Sequence, residues 1–449
     1  MTEIPAYHAR PLAIARPQAA GWRGALHLAL LIGFLAYVFI GTQPFGDPSA
    51  AQRVDGNPLD RVAVLGLFAL ALAALAVEWR ATVSMVPRAL GLALVVGFCL
   101  ASVFWSDHPD LTVRRGILLV MLTVVAAGCA AGVTDLRRFH TVLFAALVGI
   151  VLLNILATAA APGVAITDLG VRGIYSQKNV AGIVAMIAAV TAATWTLGAR
   201  DSRRIALGLV GLALILLFLL ATRSKTSIAL TLLAFGLIAC AELARRFGPR
   251  FVALAAGFAA LGGAGLLAAF AASGFDPAGF AAVFTGDASF TGRDELWAFA
   301  LDRAGERPWL GHGYGAFWDV GPGADPLLRV DPGSWLGDIE IGTINQAHNG
   351  YLELWLQIGL PATVLAAMVV VVQLLVAARW SFSARASLTT AWANGLLTLI
   401  LMLYLLHNLT EATLFIRGVP FCNISLLAMF VSMRSRALVD ARGARGKGD

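Results

Sequence analysis

The chain has 449 residues, of which 59% are hydrophobic and only 13% charged, and its mean hydropathy is +0.79. Soluble domains carry about 25% charged residues, so this composition excludes a water-soluble enzyme, a disordered protein and a disulfide-rich secreted domain. The net charge of +7 would suit nucleic acid, but in a membrane protein such a surplus reports cytoplasmic loops, and no nucleic-acid partner is needed to explain it.

Apolar runs close to the 20 residues that cross the hydrocarbon predict an all-α polytopic membrane protein with about twelve transmembrane helices. In chain order they lie at 22–41, 62–78, 88–105, 116–133, 140–160, 179–198, 204–221, 226–241, 251–272, 350–377, 390–407 and 415–433. The first run is expected to stay as an anchor. Only Thr222-Arg223-Ser224-Lys225 separates the seventh from the eighth. Two cations at the centre of one helix would cost several kcal/mol, so a tight turn is expected there. Alternating the loops between two sides gives one side a net +13 and the other −6. The bias of positive residues toward the inside then predicts that both termini are cytoplasmic. The divisions that follow are a tail at 1–21, nine helices over 22–272, a large periplasmic loop at 273–349, three helices over 350–433 and a tail at 434–449. Within the large loop, 291–304 has the best helical pattern, with Leu296, Trp297, Ala300 and Leu301 on one face.

Polar residues near apolar spans are informative because lipid penalises them unless they face a cavity. They gather on the loop-rich side in five places. Residues 171–179 bring Arg172, Lys178 and Asn179, and the 222–226 turn brings Arg223 and Lys225. Arg293 opens the loop helix, ahead of His312 in 308–315. His348, Asn349 and Glu353 open the tenth span, and His407 and Glu411 follow the eleventh. Several cations around one cavity suit a diphosphate, since guanidinium forks pair with phosphate oxygens. A histidine beside them can take a proton from a sugar hydroxyl, and a carboxylate can orient that histidine. Asn349 and Glu353, four residues apart, are expected to share a hydrogen-bonding face. Each residue also has a plainer reading. Arg172, Lys178 and His348 suit interfacial anchors, Arg293 a surface charge, His312 a turn residue, and His407 with Glu411 helix caps. The four cysteines lie inside apolar runs, and neither HExxH nor a phosphate-binding glycine loop occurs, so no metal and no cofactor is expected.

At these residues the sequence resembles the O-antigen ligase and exopolysaccharide polymerase superfamily of bacterial envelope glycosyltransferases. The matching stretches are RGIYSQKN at 172–179, TRSKT at 222–226, GRDELW at 292–297 with PWLGHGYG at 308–315, and HNGYLELWLQIGLPA at 348–362. The resemblance implies a GT-C-like inner-membrane enzyme that works without metal at the periplasmic face. Its implied substrates are an undecaprenyl-diphosphate-linked oligosaccharide and an acceptor glycan, in the lipid bilayer and among other polysaccharide-assembly proteins. It implies that Arg223 and Arg293 hold the donor diphosphate and that His348 activates the acceptor. Arg172, Lys178, Asn179, Lys225, Asn349 and Glu353 then follow as substrate-binding candidates. Polymerisation of lipid-linked repeats is the leading expectation. Ligation of the glycan to lipid A-core or protein is the alternative, and a polysaccharide transporter is the alternative of another class. Acceptor specificity is expected to reside in 273–347.

Overall fold

The computed structural model describes residues 21–46, 50–248, 261, 293–381 and 387–445. The expected ninth span at 251–272 (residue 261 apart), the first part of the large loop and most of the amino-terminal tail lie outside the described residues.

The helices are α1 (Trp22–Phe39), α2 (Ala50–Asp55), α3 (Pro58–Val77), α4 (Trp79–Ala101), α5 (Pro109–Ala131), α6 (Leu136–Ala160), α7 (Pro162–Ala165), α8 (Lys178–Gly198), α9 (Ser202–Thr222) and α10 (Lys225–Phe247). Then follow α11 (Arg293–Glu306), α12 (Gly350–Ile358), α13 (Leu360–Ser381), α14 (Leu388–His407) and α15 (Pro420–Arg445). Among the described residues ten helices are long and apolar enough to cross a membrane, so the protein is an all-α polytopic membrane protein. The only strands among them are the antiparallel pair β1 (Ile166–Thr167) and β2 (Gly170–Val171), with Ile166 opposite Val171.

Side-chain caps set several helix starts. Asn57 accepts from the Leu59 N–H with Pro58 behind it, Asp135 from the Arg137 N–H, and Asp201 from the Arg204 N–H, which satisfies donors that a helix start leaves open. The break between α9 and α10 falls at Arg223 and Ser224, as the charge argument required.

Three expected boundaries are corrected. The run 350–377 is two helices, because Gly359 ends α12 at φ +81° and Pro361 begins the next turn. A glycine followed closely by proline is a helix stop that a hydropathy window averages away. The third span starts well before residue 88, at Trp79, with only Glu78 between it and α3. The last helix starts at Pro420 rather than 415, since Phe415 and Gly418 have positive φ and turn the chain first.

At the centre lies α8, 83% buried along its span, whereas α10 is 22% buried. Its run of alanines, glycines and threonines lets α6, α9, α10 and α14 pack on it closely. On one face of the bundle the described part of the large loop folds as a small body of its own. Leu296, Ala300 and Ala304 of α11 pack with Phe317, Trp318, Leu327 and Leu336 and with Leu352 and Leu356 of α12. The buried stripe of α11 is therefore 296/300/304. Leu301, expected on that face, is half exposed, and Trp297 is only partly buried.

Bundle residues pin this body down. The buried Arg115 guanidinium donates to the carbonyls of Gly315, Trp318, Asp319 and Arg53. Tyr314 donates through its hydroxyl to Phe415 O at 2.6 Å, and its N–H donates to Ser102 Oγ at 2.8 Å. The segment 308–313 binds the open carbonyl end of α12, with the His312 N–H on Leu356 O and the Gly313 N–H on Gln357 O.

Candidate functional site

Five segments distant in sequence meet at Glu411, in the turn after α14. Its carboxylate is 7% exposed. Oε2 lies 3.1 Å from His348 Nδ1, and Oε1 accepts from Asn179 Nδ2 at 3.2 Å and lies 3.5 Å from Arg293 Nη2. Arg293 also donates to Thr410 O at 2.9 Å. Asn179 Oδ1 accepts from Ser224 Oγ at 3.4 Å, which links the α9–α10 turn to the same carboxylate.

Burial alone would raise the Glu411 carboxyl. The hydrogen bond and charge of His348, with the charges of Arg293 and His407, outweigh it and hold the group below the ordinary carboxylate range. Glu411 is therefore ionised at neutral pH and can only accept. The hydrogen between the two groups then sits on His348 Nδ1, so the lone pair of the neutral imidazole is carried by Nε2. A carboxylate that fixes a histidine tautomer in this way prepares it to take a proton from a hydroxyl.

The chain around His348 is held from several sides. His348 itself has φ +50°, a left-handed conformation that costs of order 1 kcal/mol or more in a non-glycine residue and that the surroundings must enforce. Ala347, just before it, donates its N–H to Glu353 Oε2 at 2.7 Å and accepts from Trp297 Nε1 at 2.9 Å. Asn349, just after it, caps α12 by accepting from the Tyr351 and Leu352 N–H groups. Gly350 then lies against Asn408, donating to its carbonyl at 2.8 Å, and a Cβ at Gly350 would overlap the Asn408 amide.

The other expected residues fall into separate groups. Arg223 caps α9 in a left-handed conformation (φ +51°) with its side chain exposed, and Lys225 is exposed one residue into the next helix. Lys178 donates to Leu169 O at 3.0 Å and lies 3.5 Å from Arg223 O, tying the β-hairpin to that turn. Arg172 donates to Val164 O and Ser176 O and so orders its own loop.

Glu353 does not share a face with Asn349. It is 3% exposed and accepts from Ala347, Trp318 and Gln357. Burial pushes its carboxyl above the ordinary range, against those hydrogen bonds and the charge of His348. Its place is behind His348, holding the backbone. His312 is equally internal, with Nδ1 2.9 Å from Asp107 Oδ2 and Nε2 3.0 Å from Arg303 O. Glu411 is the residue that sequence reasoning undervalued, since a carboxylate just past a helix end reads as a cap.

Residues 210–367 match the protein-family model described as O-antigen ligase. The family resemblance read from the sequence is borne out. The matched segment contains Arg223, Arg293 and His348, while Asn179 and Glu411, which complete the cluster, lie on either side of it. Among curated proteins, the chain is 26% identical over 363 residues to "Exopolysaccharide production protein ExoQ" of Rhizobium meliloti (strain 1021), covering 80% of this chain and 77% of that protein. These matches support an enzyme of the O-antigen ligase or polymerase type in a membrane, without choosing between the two.

Proposed function

We propose that the protein is a glycosyltransferase that polymerises undecaprenyl-diphosphate-linked oligosaccharide repeats at the periplasmic face of the inner membrane. The observation that carries this reading is the His348–Glu411 pair, flanked by Arg293 and Asn179 and adjoining the exposed Arg223 turn. In the proposed step an acceptor sugar hydroxyl gives its proton to His348 Nε2 while its oxygen attacks the donor's anomeric carbon. The bond from that carbon to the diphosphate breaks, and the lipid diphosphate leaves with the electron pair. Arg223 and Arg293 stabilise the charge gathering on the leaving group, as guanidinium forks suit phosphate oxygens. Lys178, Lys225 and Arg172 add to the positive field around it.

The similarity to a protein of exopolysaccharide production favours polymerisation over ligation to lipid A-core or protein. The deciding experiment incubates the purified protein in lipid nanodiscs with one defined undecaprenyl-diphosphate oligosaccharide and reads products by mass spectrometry. A polymerase makes dimers and longer chains from that single substrate. Transfer only after a separate core acceptor is added would establish the ligase reading. With general-base help worth typically 10²–10⁴-fold, His348→Ala should lose most of the single-turnover rate and keep donor affinity. A variant that weakens donor binding and keeps the bound-state rate would make His348 a diphosphate ligand instead.

A further inference from the structure

Beside the Glu411 cluster lies a separate cavity of about 590 Å³, within the size range of small-molecule sites. Gln346, two residues before His348, and Ala412, next to Glu411, form part of its wall, so it opens directly alongside the proposed base. The rest comes from the ends of α1, α3 and α5 and from residues 412–420, which the sequence reading left without a role, together with the 175–180 segment, the loop around Trp318 and the Glu353 face of α12.

Three guanidinium groups line it, and they differ in how they are engaged. Arg53 is paired with Asp319 at 2.8 Å, and Arg115 is spent on four backbone carbonyls. The guanidinium of Arg417, beside Gly315, makes no hydrogen bond or ion pair with the described residues, and its surroundings hold it below the ordinary arginine value. The carboxylates of Asp319 and Glu353 line the same cavity and attract it, but neither forms an ion pair with it, so the partly exposed guanidinium keeps its hydrogen-bonding capacity for an anion. Asn345 and Gln346 line the same cavity, and their amide side chains also make no hydrogen bond with the described residues. Amides that both donate and accept match sugar hydroxyls, and an uncommitted guanidinium matches an oxyanion.

We infer that this cavity is the acceptor-glycan site, in which Asn345 and Gln346 bind sugar hydroxyls and Arg417 receives an oxyanion carried by the acceptor. The inference rests on the proposed transferase reading. It extends acceptor recognition beyond 273–347 to α1, α3, α5 and the turn before α15. The oxyanion is either a sugar carboxylate or a phosphate of a lipid-linked acceptor, and the two sources are separable by experiment.

The test uses full-length protein in nanodiscs and measures equilibrium binding of three probes. These are a water-soluble uronic-acid oligosaccharide, the same oligosaccharide with its carboxyl groups reduced, and a neutral undecaprenyl-diphosphate oligosaccharide. Arg417→Gln should weaken the probe that supplies the oxyanion by about 30-fold or more, with Arg417→Lys intermediate. The carboxyl-reduced glycan should bind equally to wild type and to Arg417→Gln, and should weaken in Asn345→Ala and Gln346→Ala. A loss confined to the uronic-acid probe identifies a carboxylate; a loss confined to the lipid-linked probe, with unaltered donor KM in the transfer assay, identifies an acceptor phosphate. Unchanged affinity for all three probes in Arg417→Gln that melts like wild type overturns the inference. So does failure of wild type to bind any of them, or a rise in donor KM with unaltered acceptor KM. The binding measurement requires no turnover. Glycan binding without transfer would therefore defeat the transferase reading while leaving a glycan site, and transfer indifferent to Arg417 would defeat only the present inference.

Discussion

Replacing Glu411 by Gln keeps the shape of the side chain and removes its charge, so it isolates what the ion contributes at the meeting point of His348, Arg293 and Asn179. Two of those partners carry or can carry positive charge. A hydrogen bond to a charged group is worth roughly 1.5–3 kcal/mol, against roughly 0.5–1.5 for a neutral one. Converting the contacts of 3.1 Å to His348 and 3.5 Å to Arg293 therefore forfeits about 1–1.5 kcal/mol each, or about 2–3 kcal/mol together. If that sum falls on the reacting geometry it is about 30- to 150-fold in rate. The bond from Asn179 can be kept by the amide oxygen of Gln. The assay is the single-turnover rate in nanodiscs at saturating donor, with thermal melting as the control for folding. Glu411→Gln retaining a third or more of the wild-type rate at unchanged melting temperature would refute the orienting role.

The same variant makes a pH prediction. Because the folded-state carboxyl sits below its ordinary value of 4.5, its stabilising contribution is fully present above that value. It is lost as the pH falls through the depressed value in the folded protein. Wild type should lose melting temperature on acidification through that window, and Glu411→Gln should lose less. Equal acid sensitivity would contradict the assigned shift.

Arg223→Ala should abolish most transfer, by about 30- to several-thousand-fold, with little change in melting, because its exposed side chain holds no described element in place. Arg293→Ala should cost activity similarly and also lower the melting temperature, since it strips Glu411 and Thr410 of a partner; Arg→Lys should rescue each only in part, read by kcat and KM. Gly350→Ala pushes a methyl group into Asn408 and should displace the His348 turn, giving normal membrane insertion with transfer reduced tenfold or more. Cysteine labelling should reach residue 310 from the periplasm and residues 245 and 440 only from the cytoplasm; protection of residue 310 by an intact inner membrane would reverse the proposed orientation.

Most of the membrane-crossing helices were legible in the sequence because lipid imposes a strong one-dimensional rule on length and polarity. The Arg223 turn is the clearest example, where two cations in a four-residue gap admitted one economical solution. The site was legible only in part. His348 and Arg293 stand out in their local stretches, but their meeting at Glu411 depends on contacts across 63 and more residues, up to 232 for Asn179, which no local pattern encodes. Glu353 misled because helical spacing gives the direction of a side chain but not what lies there; Trp318 and Ala347 were already waiting for it. Arg417 went unremarked because one arginine in a short connection is ordinary, and only the fold shows that its guanidinium faces a cavity without a hydrogen bond among the described residues.

On the proposed reading, the break at Gly359 also limits how far His348 can stand from the bilayer. The 22 residues of α13 amount to about 33 Å of helix, enough for the hydrocarbon layer. The nine residues of α12 raise His348 by at most about 13 Å beyond the glycine. The headgroup zone on each side is about 5–8 Å deep. On the proposed reading, an upright α12 would put His348 at the outer edge of that zone or just past it, and a tilted one would put it lower. A polyprenyl donor of the proposed kind could present its phosphates at that height with its tail still dissolved in the membrane, while the sugars project into water, where a growing polymer has room to leave.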